Sequence, residues 1–223
     1  MINLQEMIVK TLNDHDSSRD RSLQVEIGPS SIGGCHRRLF HEIAKTQSTN
    51  DGDKLGAICG TFIHNGIEQA LKRQDPFGDN YMTEVEVEHN GLRGHVDLFI
   101  KDLGLVVDWK SIKKGSARYF GGNNRQHRWQ VHLYGYLLEK NGYQVNAVSL
   151  VGIPRDGKMK DILVFAEAYD PKIAQEALDH LNKTKTLVAE NLPPAPEKPL
   201  SFCADFCPYY DPTGEIGCPS TIK

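Results

Sequence analysis

The chain has 223 residues, 39% of them hydrophobic and 25% charged, which is enough for one sizeable globular core with a small appended lobe. No apolar run approaches the length of a transmembrane helix, and the opening MINLQEMIVKTLNDHD lacks the basic start and apolar core of a secretory signal, so the chain is expected in the cytosol and not in a membrane. A formal net charge of −3 argues against indiscriminate nucleic-acid binding and leaves room for a local basic groove.

Residues 2–14 pattern as an amphipathic helix and residues 15–28 as a polar loop. Pro29-Ser30-Ser31 opens a helix to about Ala44, and a longer helical pattern follows Asp51 and Asp53 to about Arg73. Met82–Glu88, Leu92–Ile100 and Leu105–Ile112 are rich in β-branched and apolar residues and predict three consecutive strands. Gly115–Asn124 reads as a loop rich in glycine and asparagine. Gln126–Asn141 reads as a helix stopped by Gly142. Val145–Ile153 and Ile162–Ala168 are strands joined by a turn around Arg155–Gly157, and Pro171–Glu190 is a helix with proline in its first turn. A proline-rich tail follows from Asn191. This order predicts an α/β (α+β) fold, a central mixed sheet flanked by helices. One domain is expected over residues 1–223: a helical N-terminal lobe (1–50), a core (51–190) and a cysteine-containing tail (191–223) that something other than apolar burial must anchor.

The stretch GHVDLFIKDLGLVVDWK, residues 94–110, places acids inside strands that read as buried. A hairpin centred between Asp102 and Leu103 sets Asp97 directly across from Asp108, with Cβ atoms roughly 4.5–5.5 Å apart. Strand alternation puts Asp108 and Lys110 on one face and Trp109 on the other. Two facing carboxylates repel, and a hard divalent cation such as Mg²⁺ or Mn²⁺ reverses that penalty. A surface hairpin with two solvated acids and a lysine salt bridge is the other reading of the same residues. In GTFIHNGIEQAL, His64 and Glu68 share a helix face; in RWQVHLYGYLL, Gln130 and Tyr134 do. From Trp109 to Leu138 there is no Asp or Glu, while Lys110, Lys113, Lys114, Arg118, Arg125 and Arg128 all fall there, a basic run suited to a phosphate-rich polymer.

His64, Asp97, the D-W-K of Asp108–Lys110 and the Q-x-x-x-Y of Gln130–Tyr134, in that order, resemble the RecB-like branch of the PD-(D/E)xK nuclease superfamily. The resemblance implies a restriction-endonuclease-like fold and metal-dependent hydrolysis of DNA. It implies that His64, Asp97, Asp108 and the Trp109 carbonyl bind Mg²⁺ or Mn²⁺. Lys110 would position the attacking water and stabilise developing charge, an electrostatic role favoured over that of a neutral base by its acidic neighbours. Gln130 and Tyr134 would bind the substrate phosphate or orient the lysine.

Five cysteines are present: Cys35, Cys59, Cys203, Cys207 and Cys218. The last three lie in FCADFCPYYDPTGEIGC. In an intracellular chain such a cluster suggests metal, with Cys35 or, alternatively, Cys59 as fourth ligand. Zinc and a [4Fe–4S] cluster both accept four thiolates. One cysteine before the core and three after it resembles the iron–sulfur exonucleases of the CRISPR-associated Cas-four type and the AddB nuclease domain. The ten residues between Cys207 and Cys218 depart from that pattern. A cluster joining Cys35 to the tail would staple the two ends of the chain together. Arg37 and Arg38, next to Cys35, read either as contacts to a DNA backbone or as two solvated helix charges.

The expected activity is that of an exonuclease preferring single-stranded DNA ends, in phage or bacterial recombination, repair or CRISPR adaptation. A structure-specific endonuclease and a non-cleaving DNA-binding module are the alternatives. The chain has no G-x-x-x-x-G-K-[ST] loop, so a helicase or recombination protein would be a separate partner.

Overall fold

The computed structural model describes residues 3–17, 27–198 and 200–220. Helix α1 (Leu4–Ser17) takes in the first three residues of the expected loop 15–28, and residues 18–26 lie outside the described part. The single helix expected from Pro29 to Ala44 is two, α2 (Pro29–Ile32) and α3 (His36–Ile43). The break falls at Gly33-Gly34, where the backbone runs against Gln126: a Cβ on Gly33 would stand 2.6 Å from Gln126 Cα. Helix α4 (Leu55–Gln74) leads to strands β1 (Tyr81–His89), β2 (Leu92–Ile100) and β3 (Leu105–Ile112). Then come α5 (Arg125–Lys140), β4 (Ala147–Pro154), β5 (Leu163–Ala168) and α6 (Pro171–Ala189). A short α7 (Leu200–Phe206) lies inside the tail expected to be irregular. The expected loop 115–124 is mostly two 3₁₀ turns.

The five strands form one mixed sheet in chain order. β1–β2, β2–β3 and β4–β5 are antiparallel, and β3–β4 is parallel, with α5 as the crossover. Val96, Phe99, Val106, Val148 and Leu150 pack under α5 and α6 with Leu133, Leu137 and Ala177. Leu98, Val107 and Trp109 pack on the other face with Ile67 and Leu71 of α4. Helices therefore cover both faces, and the central strands are buried on both sides.

The β2–β3 hairpin turns through Lys101–Leu103, closed by Gly104 at φ +58°, a left-handed position where a side chain would also meet Asn146. Pairing runs Ile100↔Leu105, Phe99↔Val106, Leu98↔Val107, the register that sets 97 opposite 108. There the ladder ends and the site begins. The tail is tied to the N-terminal segment through backbone groups: Thr49 N–H to Pro208 O (2.8 Å) and Asp53 N–H to Asp205 O (3.0 Å). The Asn50 amide adds bonds to Ala204 O and Cys207 O. Among the described residues no helix is long and apolar enough to cross a membrane.

Candidate active site

Beyond Leu98↔Val107 a side chain replaces the backbone partner. The Trp109 N–H donates to Asp97 Oδ2 at 3.0 Å. A buried carboxylate thus takes up a strand amide that would otherwise lack a partner, and β2 and β3 can part without that loss. Asp97 and Asp108 are both almost fully buried, 3% and 1% exposed. His64 of α4 reaches over the strand edge, its Nδ1 3.5 Å from Asp97 Oδ1, its ring edge-on to Trp109.

Lys110 approaches from the α5 side. Its ammonium donates to Asp108 Oδ1 and to Gln130 Oε1, each at 2.9 Å, and stands 2.8 Å from Asp108 Oδ2. That second oxygen receives no hydrogen bond of acceptable angle, so it is a buried carboxylate oxygen left over. Gln130 Nε2 donates in turn to the Tyr134 hydroxyl at 3.1 Å. The lysine is therefore held from two elements. Burial, and next the nearby Asp97 acting against Lys110, pushes the Asp108 carboxyl up from 3.8 to about 6. The sequence-derived quartet His64, Asp97, Asp108 and Lys110 thus meets in one place, with Gln130 and Tyr134 behind the lysine. As the side chains stand, among the described residues no three His, Cys, Asp or Glu side chains form a group that could hold a metal ion. At the strand ends the Lys110 ammonium supplies the positive charge facing Asp108.

The basic residues are placed differently from one another. Arg128 forms a two-pronged bond to Glu167 (2.7 and 2.7 Å), and Glu167 also bonds the buried His132. Arg125 holds Gly33 O, Gly34 O and Glu197. Lys114 pairs with Asp161 at 3.0 Å. Arg37 donates to Pro194 O, and Arg38 pairs with Glu42; their charges also fall on Cys218 and Cys207. Arg118 lies over the Tyr119 ring. Lys113 precedes the 3₁₀ segment Lys114–Tyr119 that follows β3. Each of the five arginines and lysines Arg37, Arg38, Lys114, Arg125 and Arg128 thus has a partner within the fold.

The cysteine tail closes on itself. Asp211 accepts from Thr213 N (2.9 Å) and Thr213 Oγ1 (2.7 Å) on one oxygen, and from Ile216 N (3.0 Å) and Gly217 N (3.1 Å) on the other. These bonds hold its carboxyl well below the usual range. The turn they make brings Cys218 back beside Tyr210. Cys203, Cys207 and Cys218 are buried and Cys35 half-buried. Burial raises the thiol pKa of Cys207 and Cys218, and each also feels Cys35 and Cys203. Cys35, not Cys59, is therefore the fourth member of this neighbourhood. The thiols do not form a metal-holding group as they stand, and the iron–sulfur or zinc expectation gains no support from their geometry.

Sequence reasoning missed Glu167, which lies 35 to 39 residues along the chain from the side chains it holds, and Asp211, whose partners are two to six residues ahead of it.

A two-sided α/β sheet with paired acids and a lysine where two central strands part defines the class of the protein: nucleases built on such a strand pair. The chain belongs to the PD-(D/E)XK nuclease superfamily, which it matches over residues 62–211. That span includes His64, Asp97, Asp108, Lys110, Gln130 and Tyr134; it begins after Cys35 and ends before Cys218. No curated protein matches the chain. Among solved structures, the fold is similar to that of SSO0001 (TM-score 0.53, 19% identity, 94% of this chain and 95% of the other). It is also similar to that of an alkaline exonuclease from Laribacter hongkongensis (TM-score 0.52, 9% identity, 75% of this chain and 90% of the other). These likenesses are of fold. A particular resemblance to the Cas-four or AddB nucleases is not shown by them.

Proposed function

We propose that the protein is a Mg²⁺- or Mn²⁺-dependent exodeoxyribonuclease acting on DNA with free, single-stranded ends, in the cytoplasm of a bacterial or phage-infected cell. The observation that carries the reading is Lys110 held between Asp108 and Gln130, with Asp97 across the parted strands. The donor set suits a hard cation: two buried carboxylates, one with an oxygen left over, and an imidazole beside them. His64, Asp97, Asp108 and the Trp109 carbonyl would hold the ion. The ion would supply an acidified water and charge stabilisation at phosphorus. Lys110 then orients the attacking water and faces the developing charge. Gln130 fixes the lysine, and Tyr134 fixes Gln130. A family shared with nucleases, and a fold shared with an alkaline exonuclease, support cleavage from ends. A helicase or recombination protein would supply such ends.

We further propose that Cys35, Cys203, Cys207 and Cys218 hold a [4Fe–4S] cluster or Zn²⁺. The reading rests on ligand type and number: four thiols, three of them buried, suit either group. The role would be structural, tying the tail to the segment around Cys35.

The test is cleavage of end-labelled linear and circular single-stranded DNA in Mn²⁺ by anaerobically purified protein, with Lys110→Ala as control. Shortening of linear DNA alone, by wild type alone, is the expected result. Cut circles would make the protein an endonuclease on the same site. Binding with no cleavage of either substrate would leave a DNA-binding module and overturn the proposal.

A further inference from the structure

We propose that Glu84 is a positioning residue of the candidate site: its left-handed backbone makes a break in strand alternation that brings the Asp97 carboxylate level with the sheet, where it meets both the Trp109 N–H and His64. This rests on the nuclease reading and deepens it by naming what places one of the two acids.

Strands β1 and β2 keep one register from end to end. Met82↔Phe99, Thr83↔Leu98 and Val85↔Val96 are paired, and Glu84 falls between them, directly across from Asp97. The faces do not follow as simply. Side chains alternate along a strand, so residues three apart belong on opposite faces. Yet Met82 and Val85 both pack into the core under α5, and so do Val96 and Phe99. Tyr81 and Leu98 pack on the α4 face. Each strand thus loses one step of its alternation, β1 between Met82 and Val85 and β2 between Val96 and Leu98. Because the two losses face each other, the register survives. In β3 the alternation is unbroken: Leu105, Val107 and Trp109 all lie on the α4 face.

Glu84 carries the cost of this break. Its φ is +51°, a left-handed angle that a residue with a Cβ rarely adopts. Lys45 and Asn191 share such an angle just after helices, and Asn90 in the turn between β1 and β2, where it is ordinary. Glu84 has it inside a strand. Backbone in a disfavoured region persists where its surroundings fix it, and such positions gather at functional sites. Here the core side chains of Met82 and Val85, on either side, fix it.

The effect of the break shows at Asp97. In regular alternation a side chain stands perpendicular to the sheet, away from the neighbouring strand's N–H, which lies in the sheet plane. In phase with Phe99, Asp97 would point to the α5 side and away from His64 on α4. Its Oδ2 instead accepts the Trp109 N–H of β3 at 3.0 Å, while Oδ1 stands 3.5 Å from His64 Nδ1. A carboxylate level with the sheet can reach both.

The test is the series Glu84→Gly, Glu84→Asn, Glu84→Gln, Glu84→Ala and Glu84→Val. Hydrogen exchange of the Trp109 N–H is read in metal-free protein by NMR, and Mn²⁺ affinity by calorimetry. Glycine and asparagine accept the left-handed angle, alanine less well and valine least. Glu84→Gly and Glu84→Asn should keep Trp109 protection and Mn²⁺ affinity within about twofold, as should Glu84→Gln, which removes only the charge. Glu84→Val should speed Trp109 exchange relative to the buried Leu133 of α5, weaken Mn²⁺ binding about tenfold and lower kcat with little change in KM. Glu84→Ala should fall between. Binding that follows charge, kept in Glu84→Gln and lost in Glu84→Gly and Glu84→Asn, would overturn the proposal. So would a Glu84→Val protein with lowered Tm but intact Trp109 protection and Mn²⁺ affinity. Should Glu84→Val fail to fold, Glu84→Ala against Glu84→Gly decides. A wild type that neither binds Mn²⁺ nor cleaves DNA defeats the nuclease reading, and the order of Trp109 exchange still decides the role of Glu84.

Discussion

The parted end of β2–β3 and the cysteine tail each gather reactive side chains, but by different means. At the strand ends, backbone register does the placing: Leu98↔Val107 is paired, and the next two positions are Asp97 and Asp108. In the tail, placement depends on a chain reversal around Asp211 and on hydrogen bonds from Asn50 and Thr49, about 150 to 160 residues away in sequence. The first arrangement is rigid because neighbouring ladder bonds on β3–β4 support it through Lys110↔Gly152. The second is a loop closed on itself, and metal ligation would couple its order to the N-terminal lobe. Chemistry that needs sub-ångström positioning suits the first; a staple suits the second.

The contrast breaks most visibly at the lysine. Lys110→Ala should reduce single-turnover cleavage in Mn²⁺ by about a thousandfold, the scale of losing a group that stabilises transition-state charge. Its stability cost is buffered, because Asp108 can take a proton where it would otherwise remain a buried lone charge. Retention of most activity would remove Lys110 from the mechanism.

Asp97 separates placement from charge. Asp97→Asn keeps an oxygen for the Trp109 N–H and should leave Tm nearly unchanged while cleavage falls at least about a hundredfold. Asp97→Ala strands that buried N–H and should cost about 1–3 kcal/mol of stability as well. Equal loss of stability in the two variants would show that the hydrogen bond does not support the parted strands.

Proton competition sharpens the same site. Asp108 holds its proton more tightly in the folded chain than at its ordinary value of 3.8. In metal-free protein this contribution to stability is therefore present at low pH and is lost as pH rises through about 6. A bound ion must displace the proton, so apparent Mn²⁺ affinity should fall about tenfold per pH unit below about 6, measured by calorimetry. A pH-independent affinity between 4.5 and 6 would contradict a shared site for proton and ion.

The tail predicts a smaller and separable effect. Anaerobic protein should contain iron or zinc; Cys207→Ser should lose it and lower Tm, while Cys59→Ser should keep it. Equal metal content in the two variants would detach the tail cysteines from any ligand role. The smallest effect is expected at Arg128. Its bond to Glu167 is partly solvent-screened, so Arg128→Ala should cost about 1 kcal/mol and change DNA affinity little. A large loss of DNA affinity would return Arg128 to the DNA groove expected from the sequence.

The strands β2 and β3 were legible residue for residue, since runs of β-branched and apolar residues, a turn at 101–104 and two acids in register leave few pairings. Gln130 and Tyr134 were legible as a helix pair facing the lysine. The split of the first long helix at Gly33-Gly34 was not, because the cause is close approach to Gln126, over 90 residues later. The basic run was read as suited to a phosphate-rich polymer, but the counter-charges that Arg125 and Arg128 find, Glu197 and Glu167, lie too far along the chain to be read beside it. Periodicity and register depend on neighbours in the chain, so the sequence by itself determined most of the elements, the face of each acid and the order of the candidate site residues. The ion pairs of Arg125 and Arg128 and the joining of the tail to the N-terminal segment depend on which distant segments meet, and only the packed tertiary structure decided those.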